Sequence, residues 1–259
     1  MPETAEPPSH AEQILELKRQ WAELPARQRQ LLRLAPLATE RGTGARPLRF
    51  AELTRCERHS PSLSVLRLSV QLPAQLLHRE QNVLEIWLDH GLRTLEFGPA
   101  SGLQVEPGNR GLGRFLVAQG ILWAQQRCGH YQVLGGEFAA KDSFDENLRK
   151  HRDHLLEALG FTVTHDALTP VKGSYSAALV STLQGEWNRE KIQQVSLLDA
   201  GKMLQQADQT LAEQSIKLRQ KDQQLASNLR DEGALRFTIS SLVVFCLFQA
   251  ALLLWMIVS

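Results

Sequence analysis

The rhythm of apolar and polar positions changes several times along this chain, and each change predicts a different element. In "HAEQILELKRQWAEL" Ile14, Leu15, Leu17 and Trp21 fall roughly on one helical face. Ser9 stands where an N-cap belongs, so the spacing predicts a first helix, which Pro25 ends. "ARQRQLLRLAPLA" predicts a second short helix and "TERGTGARP" a turn-rich linker. From Leu48 to about Leu183 strand and helix signals alternate. "PLRFAEL" and "SLSVLRLSV" are apolar runs of strand length, the second ambiguous. "NVLEIWLDHGLRTLEF" predicts a hairpin about Asp89-His90-Gly91. "GLQV" leads to a glycine-rich turn and a helix from about Leu112 to Arg127. "YQVLGGEF" reads as a strand, the stretch from Asp145 to Leu159 as a helix closed by Gly160, and "FTVTH" and "SYSAALVSTL" as two last strands. Strands interleaved with helices predict a mixed α/β fold.

Past Gly185 the pattern shifts again. Leu197, Leu204, Leu211, Leu218 and Leu225 recur every seventh residue in a sequence rich in Gln, Lys and Asp. The second seam position is weak in either register: Gly201, Asp208, Ser215 and Asp222, or Ala200, Gln214 and Lys221. This predicts a helical stalk, at most a weak coiled coil that self-associates into a loose homo-oligomer. "FTISSLVVFCLFQAALLLWMIVS", Phe237 to Ser259, carries no charge. About 20 apolar residues at ~1.5 Å rise cover a hydrocarbon core of roughly 30 Å, so a single transmembrane tail anchor is expected. Lys221, Arg230 and Arg236 precede it, which places the N-terminal part in the cytoplasm. Four regions follow: 1–46, a helical segment and linker; 47–184, the α/β domain; 185–234, the stalk; 235–259, the anchor.

A net charge of +1 over 259 residues offers no basic surface of the size nucleic acid demands. Cys56, Cys128 and Cys246 are scattered, without C-x-x-C spacing, so no disulfide framework and no metal site is expected. The N-terminal "MPETAEPPSHAEQ" has no apolar core of the kind a secretory signal needs.

The chemistry concentrates in "VEPGNRGLGRFLV", Val105 to Val117. The first amides of a helix lack intrahelical acceptors and sit at the positive end of its dipole, so a glycine turn there can hold an anion. A P-loop would need a Lys-Ser or Lys-Thr pair, which is missing. A dinucleotide turn would need its third glycine at Leu116, although Glu137 stands where a ribose-binding acid belongs. The stretch resembles the acyl-CoA-binding motif [QR]-x-x-G-x-[GA] of the GNAT superfamily of N-acyltransferases. "VEP" is similar to the V-x-P before that motif, "DENLRKHRDHLLEALGF" to the later helix that ends in Gly-Phe, and "SYSAALV" to the closing strand. The resemblance spans about Leu48 to Leu183.

It implies a GNAT-like mixed sheet flanked by helices that binds acetyl-CoA or another acyl-CoA through Val105, Gly108, Asn109, Arg110, Gly111, Leu112, Gly113 and Arg114, with Arg110 and Arg114 adding charge at the rim. It further implies an amine acceptor that attacks the thioester directly, a backbone N–H near Val105 for the oxyanion, and a carboxylate base. Glu96 is the first choice for that base and Glu137 the second. Gly108 occupies the motif's opening Gln or Arg position, and Leu156 replaces a tyrosine that protonates the leaving thiolate, which brings His154 and His151 forward as stand-ins. The tail favours an acceptor at the membrane. The alternative is a degenerate domain of this fold kept as a tethered interaction module without catalysis.

Overall fold

Burial alternates along the central strands, and this alternation forms the sheet. Arg49–His59 buries Ala51 and Leu53 between more exposed neighbours, and Leu63–Gln71 buries Leu66, Leu68 and Val70. The computed structural model describes residues 9–21, 28–40, 44–73, 80–99, 102–138, 146–165 and 173–258. In chain order the elements are α1 (His10–Gln20), β1 (Gln28–Leu34), β2 (Leu37–Glu40), β3 (Gly44–Arg46), β4 (Arg49–His59), β5 (Leu63–Gln71), β6 (Val83–Asp89) and β7 (Thr94–Gly98). Then come α2 (Leu112–Cys128), β8 (Gln132–Glu137), α3 (Glu146–Glu157), β9 (Thr162–His165), β10 (Gly173–Leu179), a 3-10 turn (Val180–Thr182), β11 (Ile192–Val195) and α4 (Leu197–Val258).

Nine strands form one mixed sheet in the order β11-β1-β4-β5-β6-β7-β8-β10-β9, and β2 with β3 forms a separate ribbon. All neighbours in the large sheet are antiparallel except β7 and β8. The mixed α/β expectation therefore holds, and the β6–β7 hairpin turns at Asp89–Arg93 as the pattern predicts.

Within the stretch 26–38, expected as a short helix, the described residues 28–38 instead give β1 and the start of β2. Leu32 and Leu34 are fully buried while Leu31 and Arg33 are not, a period of two that pairing with β4 and β11 on either side selects over helix propensity. Because β1 and β11 join it, the sheet extends past both ends of the 47–184 span. "GLQV" is no ladder strand; only Gln104 bridges, to Gln81.

The main core lies between one sheet face and α2, which contributes Leu112, Phe115, Leu116, Val117, Ile121 and Trp123. On the other face α1 docks Trp21, Ile14 and Leu17 on Leu63, Val65 and Trp87. A capping box between Ser9 and Glu12 starts α1 as its sequence predicts.

Residues 1–196 make one compact unit and residues 197–259 a second. The second is a single 62-residue helix, so stalk and tail are continuous. Among the described residues no helix is long and apolar enough to cross a membrane. Along this helix Leu204, Leu211, Leu218 and Leu225, and further on Phe237, Leu242, Phe245 and Phe248, stand exposed.

Candidate functional site

Among the described residues, the one parallel pair of named strands is also the shortest ladder of the large sheet. β7 and β8 pair only at Thr94↔Gln132 and Leu95↔Val133. Past Leu95, β7 continues to Gly98 along β6, and past Val133, β8 continues to Glu137 along β10. No pairing across the two strands is present there among the described residues, so a gap opens at their C-terminal ends. Gly136 helps explain the parting. A Cβ at this position would lie 2.5 Å from Tyr175 Oη and 2.7 Å from its Cζ, so the ring lies over the bare glycine and β8 stays close to β10. The rings of Phe97 on β7, Phe161 after α3 and Tyr175 on β10 form an edge-to-face row with centroids 5.5 and 5.8 Å apart, giving the gap an apolar wall on one face.

The connection β7–α2–β8 brings the N-terminus of α2 to the end of the sheet where the strands part. Gly111 caps the helix in the left-handed region, φ 81°, with no side-chain cap. Phe115 N–H is the first amide to find a helical acceptor, the carbonyl of Gly111 at 3.0 Å. The amides of Gly111, Leu112, Gly113 and Arg114 have no acceptor among the described residues, and neither does that of Val105. Four adjacent unpaired amides at a helix start form a positive cradle.

Three basic residues lie in or beside this turn, each placed differently. Lys191 Cδ comes within 3.8 Å of the position a Gly111 Cβ would take. Arg114 is partly buried and donates through Nε to the carbonyl of Glu186 at 2.9 Å. Arg110 departs from the rim position expected of it: it is buried, and Nη1 donates inward to the carbonyls of Pro47 (2.8 Å) and Ala35 (3.4 Å). Burial lowers its guanidinium below the ordinary value, and Arg49 and Arg46 nearby add to this. Beside the loop an open cleft of about 800 Å³ is lined by Arg49, Phe50, Leu72, Pro73, Glu106, Pro107 and Gly108. Gly108 and Asn109 lie exposed at the turn, Asn109 with φ 56°.

Asn82, which belongs to no motif legible along the chain, holds the approach to this turn. Its Nδ2 donates to the carbonyl of Glu106 and its Oδ1 accepts from Glu106 N–H, both at 2.7 Å, while its own amide donates to Gln104 O at 2.7 Å. A buried amide that exchanges bonds in this way fixes Val105 and Glu106.

Glu96 is the first β7 residue past the last β7–β8 pair. It stands opposite Trp87, on the sheet face that α1 covers, and its Oε2 accepts from Lys18 Nζ at 2.6 Å. Glu137, at the end of β8, is exposed and opposite Ser174. The two carboxylates therefore flank the gap from opposite strands. His154 and His151 are exposed on α3, and no contact among the described residues joins His154 to either carboxylate. Leu156 packs against the core.

The pattern of "SYSAALVSTL" marks Tyr175 only as part of a strand. Its hydroxyl has no hydrogen-bond partner among the described residues and reaches across β8 toward β7. Burial raises this phenol above its ordinary value, and the Glu96 carboxylate adds to the rise. It therefore keeps its proton at neutral pH. Among the described residues no three His, Cys, Asp or Glu side chains are arranged to hold a metal ion. No protein-family model, no curated protein and no solved structure matches this chain.

Proposed function

We propose that this chain is a membrane-tethered N-acyltransferase of the GNAT type, with acyl-CoA, acetyl-CoA foremost, as donor and an amine as acceptor. The observation that carries this reading is the row of four unpaired amides, Gly111 to Arg114, beside a parted pair of parallel strands. A diphosphate on those amides collects charge-assisted hydrogen bonds, with Lys191 alongside. The thioester arm then enters the gap between β7 and β8.

Each chemical demand has a residue at hand. The amine must lose a proton, and Glu96 and Glu137 are the carboxylates that flank the gap. The oxyanion needs a donor, and Val105 N–H is unpaired among the described residues. The departing thiolate needs a proton; Leu156 has none to give, and the hydroxyl of Tyr175, without a partner among the described residues, does. His154 is the weaker choice because it stands exposed on α3 with no link to the carboxylates.

The tail supports the tether. Phe237 to Ser259 is uncharged, and exposed Phe237, Phe245, Leu247 and Phe248 would each cost free energy in water. With the catalytic unit on the cytoplasmic side, the tether favours amines at the membrane among the acceptors within reach. The exposed leucine series also supports loose self-association of the stalk.

A second reading, a non-catalytic module of the same fold, is favoured by the ion pair that already occupies Glu96. Turnover separates the two: the catalytic reading expects free CoA thiol from acetyl-CoA with at least one amine in a panel. Acetyl-CoA binding without thiol release across the panel would support the module.

A further inference from the structure

We propose that Lys18 is an acceptor amine carried by the fold itself, acylated on Nζ by the acyl-CoA bound to the same chain. The inference rests on the acyl-CoA reading and identifies one acceptor for it. Lys18 lies in the last turn of α1, and α1 is held on the sheet by Trp21, Ile14 and Leu17 against Leu63, Val65 and Trp87. The helix therefore presents the amine at a fixed place. Nζ is 2.6 Å from Glu96 Oε2 and 5.5 Å from the centre of the Trp87 ring. Its side chain is only 33% exposed, so it is set against the sheet rather than loose in solvent. Glu96 in turn is the residue at which β7 leaves β8, so the amine stands at the lip of the gap beside a carboxylate that can accept its proton. No external acceptor needs to be recruited, and an amine held beside its target gains orders of magnitude in effective concentration.

The chemistry balances without a further reactant. The Lys18 ammonium gives one proton to Glu96, which passes it to water. The freed lone pair attacks the thioester carbon, the C–N bond forms and the C–S bond breaks. The nitrogen loses its second proton as the thiolate gains one, through Tyr175 or water, leaving an amide on Lys18 and CoA as the thiol.

The test incubates the full-length chain in detergent with acetyl-CoA and maps acetylated lysines by mass spectrometry. The expected product is one acetyl group on Lys18, formed at a rate independent of protein concentration. Lys150 and Lys202, whose side chains are 69% and 75% exposed, serve as controls for unassisted reaction and stay at background. Glu96→Gln slows the step by about 100-fold or more while acetyl-CoA binding by calorimetry is kept. Lys18→Arg abolishes the label. If acetyl-CoA binds and Lys18 is labelled no faster than Lys150 and Lys202, or if Glu96→Gln has no effect, the inference is overturned and the acyl-CoA reading stands. If acetyl-CoA does not bind at all, both fall together.

Discussion

Two glycines two residues apart in the turn serve opposite purposes. Gly111 has φ 81°, so an alanine there is strained by about 1–2 kcal/mol whatever the space around it. Gly113 is inside the helix, and a Cβ would meet Val105 Cγ2 at 3.5 Å, an ordinary contact. Gly113→Ala should therefore leave stability unchanged or raise it by up to about 1 kcal/mol, while Gly111→Ala lowers it. Thermal unfolding of the pair checks this; equal losses at both would show that the cap geometry is wrong. Tyr175 makes a second residue-scale prediction. Tyr175→Phe keeps the ring over Gly136 and removes only the free hydroxyl. Acetyl-CoA binding should be unchanged and turnover should fall about 10²-fold, with the high-pH limb of the rate profile lost. Unchanged turnover and pH profile would remove the phenol from the mechanism.

Between elements, the end of the sheet remote from the glycine turn is tied by polar contacts. Buried Ser64 on β5 bonds His90 Nε2 after β6 at 2.7 Å and His59 Nδ1 on β4 at 3.0 Å. His90 Nδ1 in turn meets Tyr131 Oη before β8 at 2.9 Å. Burial lowers the His90 imidazole below its ordinary 6.5, His59 adds to this and Asp89 opposes it. The folded chain thus binds this proton less readily than the unfolded one. The stabilisation is complete above 6.5 and is lost as pH falls through the lower folded value. Urea midpoints should drop between about pH 7.5 and 5, and His90→Gln should flatten that drop. An unaltered slope in the variant would place the titration elsewhere. Ser64→Ala should cost about 1–3 kcal/mol at neutral pH by leaving two ring nitrogens without their partner.

Elements differ in how far their sequences disclose them. The hairpin at Asp89, α2, α3 and its Gly160 end, where φ is 90°, were all legible because local turn chemistry and periodicity agree there. β1 and β11 were not, since four to seven residues gain strand character only from neighbours distant in the chain. The cradle was legible as a glycine turn. Asn82 and Tyr175 were not, because nothing local to either residue foretells that one would grip Glu106 and the other lie over Gly136.

At the scale of the whole molecule, the compact unit ends at Ser196 and a single helix follows. The full chain should float with phospholipid vesicles, and a chain ending at Ser196 should stay in solution. Flotation of the truncated form would move the membrane contact away from the tail. The central claim, that the amides of Gly111 to Arg114 cradle the diphosphate of an acyl-CoA, is tested most directly by calorimetry of the full-length chain in detergent with acetyl-CoA. One site per chain is expected, competed by CoA and not by NAD, and lost in Gly111→Val under conditions where that variant remains folded by circular dichroism. Absence of binding by the unaltered chain, or binding that the folded Gly111→Val variant retains in full, would contradict it.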